Sequence, residues 1–164
     1  MAAGERWSGG LEWWPSLIGL IGLFMTRKAF RFTPLLQTLI ALHMILLAVG
    51  GHYTYAEVPI GNCARDFFHL ARNHYDRIGH FTQGLVPALI AREIILRRGL
   101  VPSRAWTGFF VVCVAMTISA VYELFEWITA EIYGQNADAF LGSQGDIWDT
   151  QEDMCMALIG ALCA

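Results

Sequence analysis

Two histidines, an aspartate and two arginines fall within ten residues, Arg72-Asn73-His74-Tyr75-Asp76-Arg77-Ile78-Gly79-His80-Phe81, and the chain then runs straight into an apolar segment. Ionisable groups at the mouth of a membrane span are costly to keep there, which makes them candidates for function. At about 100° per residue, Asp76, His80, Gln83 and Pro87 share about 60° of helical arc, a polar stripe leading from an interface into the membrane. An Asp and a His at i, i+4 can approach one metal ion, or the Asp can orient the imidazole. The same groups also fit a polar cluster paired with Arg72 and Arg77.

A second group lies in Tyr122-Glu123-Leu124-Phe125-Glu126-Trp127. Glu123 and Glu126 stand at i, i+3, with Ser119 one turn earlier on the same side. Two carboxylates on one face of an apolar helix call for a cation, which can be a metal, a proton or an arginine. The Glu-x-x-His pairing of di-iron bundles is absent. A third group is Asp146, Asp149 and Asp153, spaced i, i+3, i+7. Some of these acids have a plainer use, because Thr150-x-x-Asp153 and Asp149-x-x-Glu152 both resemble capping boxes that would open a final helix.

Together the groups offer Asp76, His80, Glu123, Asp149 and Asp153 as ligands. Glu126 is left as a general base, and His74 is a second candidate for proton transfer. His52, Tyr53, Tyr55, Arg72, Arg77 and Asp146 lie nearby in sequence as further site candidates. One histidine among carboxylates favours a hard or borderline divalent ion, zinc, manganese, iron or magnesium, over copper. Carboxylates this close repel, so a cation or protonation must offset them, and Arg72 and Arg77 could serve without any metal. His43, alone mid-span, reads as hydrogen-bonded packing, and His69 as loop surface. An EF-hand ladder, a phosphate-binding glycine loop, a G-x-S-x-G elbow and H-E-x-x-H are all absent.

The elements that would carry these groups are helices in a membrane. Of 164 residues, 55% are hydrophobic and 15% charged, with mean hydropathy +0.45, well below the quarter of charged residues usual in soluble domains. The net charge of −3 and the lack of a basic run exclude a nucleic-acid partner. Cys63, Cys113, Cys155 and Cys163 show no CxxC spacing, which excludes a zinc finger or thioredoxin motif. Apolar runs without period-two alternation predict an all-α, polytopic transmembrane helical bundle, one domain over residues 1–164.

About five spans are expected, over residues 11–25, 34–50, 76–96, 105–132 and 153–164. A short amphipathic helix over 64–71 fits between the second and third. Trp13-Trp14 would anchor span one at an interface, and Gly19 and Gly22 would give it a small face for a neighbour. The apolar core of residues 17–25 runs into Thr26-Arg27-Lys28 rather than a cleavage site, so it reads as a retained span. Pro87 should kink span three. The fifth segment is about half a bilayer long at 1.5 Å per residue, so it is short or truncated. Arg27, Lys28 and Arg31 after span one, with Arg97, Arg98 and Arg104 after span three, place those turns inside and the motif-bearing loops outside.

Four segments carry a resemblance to a known family. They are His52-Tyr53-Thr54-Tyr55-Ala56-Glu57-Val58-Pro59, Arg72 to Phe81, Tyr122-Glu123-Leu124-x-Glu126-Trp127, and Gly145-Asp146-x-Trp148-Asp149-Thr150-Gln151-x-Asp153-Met154. With them the chain resembles the YjdF-type family of bacterial inner-membrane proteins, over about residues 20–160, and is loosely similar to VanZ-like proteins. The resemblance implies the inner (cytoplasmic) membrane and an approximate helix plan, but supplies no substrate or reaction. It also implies a complete final span beyond Ala164.

Two classes of function fit. One is a divalent-metal site facing outward, a metal-dependent enzyme acting on a lipid or envelope precursor. The other is a cation or proton-coupled transporter using the same carboxylates, with a structural membrane partner, able to oligomerise, as a third option. Depth discriminates them, because transport needs polar residues reaching through to the inner side.

Overall fold

A computed structural model describes residues 14–133 and 142–164. Trp13, the start of span one and residues 134–141 of the acidic loop lie outside them. The described residues form six α-helices: α1 Trp14–Thr26, α2 Pro34–Tyr53, α3 Pro59–Phe68, α4 Tyr75–Arg98, α5 Arg104–Tyr133 and α6 Asp149–Leu162. A 3-10 turn, Tyr55–Glu57, joins α2 to α3. No strand occurs among the described residues.

The all-helical expectation holds. Pro34–Tyr53 and Arg104–Ile132 are long and apolar enough to cross a membrane. At 1.5 Å per residue, the 24 residues of α4 span about 36 Å. Its charges are gathered at its two ends, Asp76 and Arg77 at one, Arg92, Glu93, Arg97 and Arg98 at the other. The described parts of α1 and α6 cover 13 and 14 residues. Residues along α1, α2 and α5 leave large apolar side chains exposed, among them Ile18, Leu35, Phe109 and Phe125. Surfaces of that extent mark contact with lipid or protein rather than water.

Helix α4 is the axis of the bundle, packed most extensively on α6, then α5, then α2, while α1 touches α2 only lightly. The α4–α6 crossing is a backbone-to-backbone contact. A Cβ on Gly84 would lie 1.9 Å from the Ala157 carbonyl oxygen, and one on Gly160 would lie 2.0 Å from that of Phe81. Small residues allow this approach, and close packing is the main source of helix association in lipid. Gly22, expected to offer such a face on α1, meets nothing within 4 Å, and Gly19 meets only the tip of Met44. Ala88, Ala115 and Ala161 continue the small-residue seam among α4, α5 and α6.

The basic turns meet at one end of the bundle. Arg97 donates to the Arg31 carbonyl at 2.5 Å and to Glu93 at 2.6 Å, and Arg98 donates to the Ala29 carbonyl. Both guanidinium groups face the Phe30 ring, at 4.2 and 5.4 Å from its centroid. Glu93 also accepts from the Thr33 backbone N–H and hydroxyl, both at 2.9 Å. The acidic and histidine motifs occupy the opposite end of α4.

Local geometry departs from expectation in two places, the short amphipathic helix and the start of α6. The short amphipathic helix runs Pro59–Phe68 rather than 64–71. Pro59 supplies a preset first turn, and His69, at φ 55°, closes the helix in the left-handed region. Helix α4 is continuous through Pro87. Helix α6 begins at Asp149 behind Trp148 with no side-chain cap, so neither expected capping box forms. Its acids instead meet two arginines whose buried charge needs partners more than exposed N–H groups do.

Candidate functional site

The site is built on the first two turns of α4. Asp76, Arg77 and His80 are 6%, 6% and 4% exposed. Asp153 of α6 is 1% exposed and Glu123 of α5 is 6% exposed. The glycine crossing sets this convergence: Gly84 lies one turn below His80 and holds the α6 backbone against α4, which brings Asp153 over the imidazole.

Arg77 is the hub of an ion-pair cluster. It reaches Asp149 at 2.9 Å, Glu152 at 2.8 Å, Asp146 at 3.4 Å and, by its second nitrogen, Oδ1 of Asp153. It also donates to the Asp149 carbonyl at 3.2 Å. Arg72 meets Asp146 at 3.1 Å and Asp149 at 2.9 Å, and donates to the Gly142 carbonyl. Two guanidinium groups therefore serve four carboxylates. Removing one partner from a buried cluster leaves an uncompensated charge, typically costing about 3–5 kcal/mol.

His80 lies beyond the arginines and is ringed by acids at distances too long for good hydrogen bonds. Its Nε2 is 3.6 Å from Asp76 Oδ1 and 3.8 Å from Asp153 Oδ2, and its Nδ1 is 3.5 Å from Glu123 Oε1. Neither His80 Nδ1 nor Glu123 Oε1 makes a hydrogen bond, although both are buried. Donor atoms of Asp76, His80 and Asp153 lie within 4.8 Å of one another. Ligand atoms held 2.0–2.2 Å from one ion sit about 3–3.6 Å apart, so these three stand close to coordination spacing. The two unpartnered atoms, His80 Nδ1 and Glu123 Oε1, face each other at 3.5 Å across the ring from that group.

A loop roofs the cluster. Gly142 and Gly145 take φ of 66° and 84°, a region open to glycine. A Cβ on Gly142 would sit 3.4 Å from Asp76 Oδ2. Asn73, 0% exposed, ties this roof to the neighbouring turn. Its side-chain amide donates to the carbonyls of Ala56 and Val58 and to Asn62, and its carbonyl oxygen accepts from the Tyr75 N–H. The Asn73 backbone exchanges two hydrogen bonds with the Gln144 amide, at 3.0 and 2.9 Å.

Below His80 lies a cavity of about 520 Å³, half-open to its surroundings. Asp76, His80, Gln83, Tyr55 and Tyr122 form its polar end. From Val86 through Pro87, Ile90, Ala91 and Ile94, its α4 wall is apolar. The stripe expected from helical spacing is therefore this cavity's wall. Thr54, at φ 65° an unusual conformation for a β-branched residue, precedes Tyr55, whose ring packs on Gly50.

Of the expected site residues, Asp76, His80, Glu123 and Asp153 converge. Asp149 and Asp146 are drawn to the arginines, and Tyr55 lines the cavity. Glu126 is half-buried one turn beyond Glu123, within electrostatic reach of Glu123, Asp76 and Asp153. His52, Tyr53 and His74 are exposed; His52 and Tyr53 stack edge to face, and His74 precedes α4. His43 bonds to the Thr82 hydroxyl at 2.9 Å, as packing histidines do. Sequence reasoning missed Asn73, Gln144 and Glu152, and the Gly84–Gly160 crossing.

The model of the predicted membrane protein family DUF2238 matches residues 3–164. The chain belongs to this family. It is also 55% identical over 152 residues to the inner membrane protein YjdF of Escherichia coli (strain K12), covering 93% of this chain and 73% of that relative. No solved structure matches the chain.

Proposed function

We propose that this DUF2238 protein is a multi-pass inner-membrane protein that holds a divalent cation among Asp76, His80 and Asp153, with Glu123 against the other imidazole nitrogen orienting the ring. The observation that carries this reading is the approach of Asp76 and Asp153 to one nitrogen of His80, at 3.6 and 3.8 Å, in a buried group whose donor atoms lie within 4.8 Å of one another. One nitrogen among carboxylate oxygens favours zinc, manganese, iron or magnesium. The relative's location supports the inner membrane. The clustering of both basic turns at the far end of α4 supports an outward-facing site.

Such an ion would act as a Lewis acid and activate water, the chemistry of metal-assisted hydrolysis. Glu126 is the carboxylate left for proton transfer, and a lipid or envelope precursor is the substrate class within reach. Arg72 and Arg77 organise the acidic turn and fix Asp153. The transporter reading has less support, because the cavity wall on α4 beneath Gln83 is apolar from Val86 to Ile94. Calorimetric titration of chelator-stripped protein with zinc, manganese, ferrous iron and magnesium in turn tests the proposal. One tight site, lost in Asp153→Asn, is expected; no saturable binding by any of the four ions would exclude it.

A further inference from the structure

The cavity below the site has a shape that the cation alone does not use. It runs along α4 from Asp76 to Ile94, 18 residues or about 27 Å at 1.5 Å per residue, close to the hydrocarbon depth of a bilayer. Its volume of about 520 Å³ lies within the range of ligand sites. Apart from its polar end, the side chains lining it are those of a hydrocarbon sleeve, including Ile40, Leu47, Val86, Ile90, Ile94 and Ile118, with His43 turned to Thr82. It is only half-enclosed, which leaves room for part of an occupant to lie outside it.

We propose that this cavity holds one acyl chain of a phospholipid, whose phosphate reaches Asp76 and His80 while the second chain stays in the bilayer. The chain placement stands on the cavity. The phosphate placement rests on the cation reading, since Asp76, Glu123 and Asp153 would repel a bare phosphate and an ion between them would reverse that. The occupant is thus amphiphilic and anionic, matched at one end by a cation site and along its length by an apolar wall.

The test is photolabelling in phosphatidylethanolamine–phosphatidylglycerol vesicles, with phosphatidic acid carrying a mid-chain diazirine and diacylglycerol carrying the same chain. Labelled residues are mapped by mass spectrometry. Label at Ile90 and Ile94 is expected well above that at the outward-facing Leu35 and Phe109, and several-fold higher with phosphatidic acid. Ile118→Trp, which fills the cavity away from the ligands, should remove label at Ile90 and Ile94 and leave bound metal unchanged. Equal label at cavity and outer surface, unaltered by Ile118→Trp in protein that still elutes as a single species, would overturn the proposal. Cavity label that persists equally with both probes, in protein without metal, would uphold the chain placement and defeat the cation reading alone.

Discussion

Arg77 and His80, one turn apart on α4, face the two oxygens of a single carboxylate: Arg77 takes Oδ1 of Asp153, and Nε2 of His80 stands 3.8 Å from Oδ2. Arg77 also lies within electrostatic reach of Asp76 and Glu123. It fixes the carboxylate that, with Asp76 and Glu123, surrounds the imidazole.

Replacing Arg77 by methionine should therefore destabilise the protein as well as disturb the site. Asp149, Glu152 and Asp153 lose a shared partner, and a loss of roughly 3–5 kcal/mol is expected. A thermal melt in detergent checks it. Arg72→Met should cost less, because Asp146 and Asp149 keep Arg77.

Gly84→Ala should damage the site without touching a ligand. The added methyl would lie 1.9 Å from the Ala157 carbonyl, so α6 must move and carry Asp153 away from His80. Overpacking of this kind costs about 1–3 kcal/mol. Weaker metal retention in Gly84→Ala, with Gly22→Ala and Gly108→Ala unchanged, is the expected pattern by elemental analysis. Neither control position has a neighbour within 4 Å.

Asn73→Ala should loosen the roof. Its amide holds Ala56, Val58 and Asn62 on one side, and its backbone holds Gln144 on the other. Orphaned buried groups cost about 1–3 kcal/mol each. Faster proteolysis within residues 142–148, measured by limited digestion, is expected ahead of any change in the helices.

The helices and the polar stripe are legible in the sequence because both follow from local geometry. Apolar runs set the helix positions to within a few residues, and the 3.6-residue period places Asp76, His80 and Gln83 on one cavity wall. Partner choice is not local. Asp149 and Asp153 satisfy a capping pattern equally well, and only the approach of α6 to α4 sends them to Arg77 and His80. That approach depends on Gly84 and Gly160, which in sequence look no different from Gly19 and Gly22. Asn73 is missed for a related reason: apart from the Tyr75 N–H two residues on, its partners lie 11 to 71 residues away, and nothing in its neighbours announces them.

The central claim is that Asp76, His80 and Asp153 hold a divalent ion, and elemental analysis of the purified protein beside His80→Ala tests it most directly. Near-stoichiometric zinc, manganese, iron or magnesium in the native protein, lost in His80→Ala that still elutes as a folded species, is the predicted result. Absence of metal in both proteins, after purification without chelator and incubation with each ion, would contradict it.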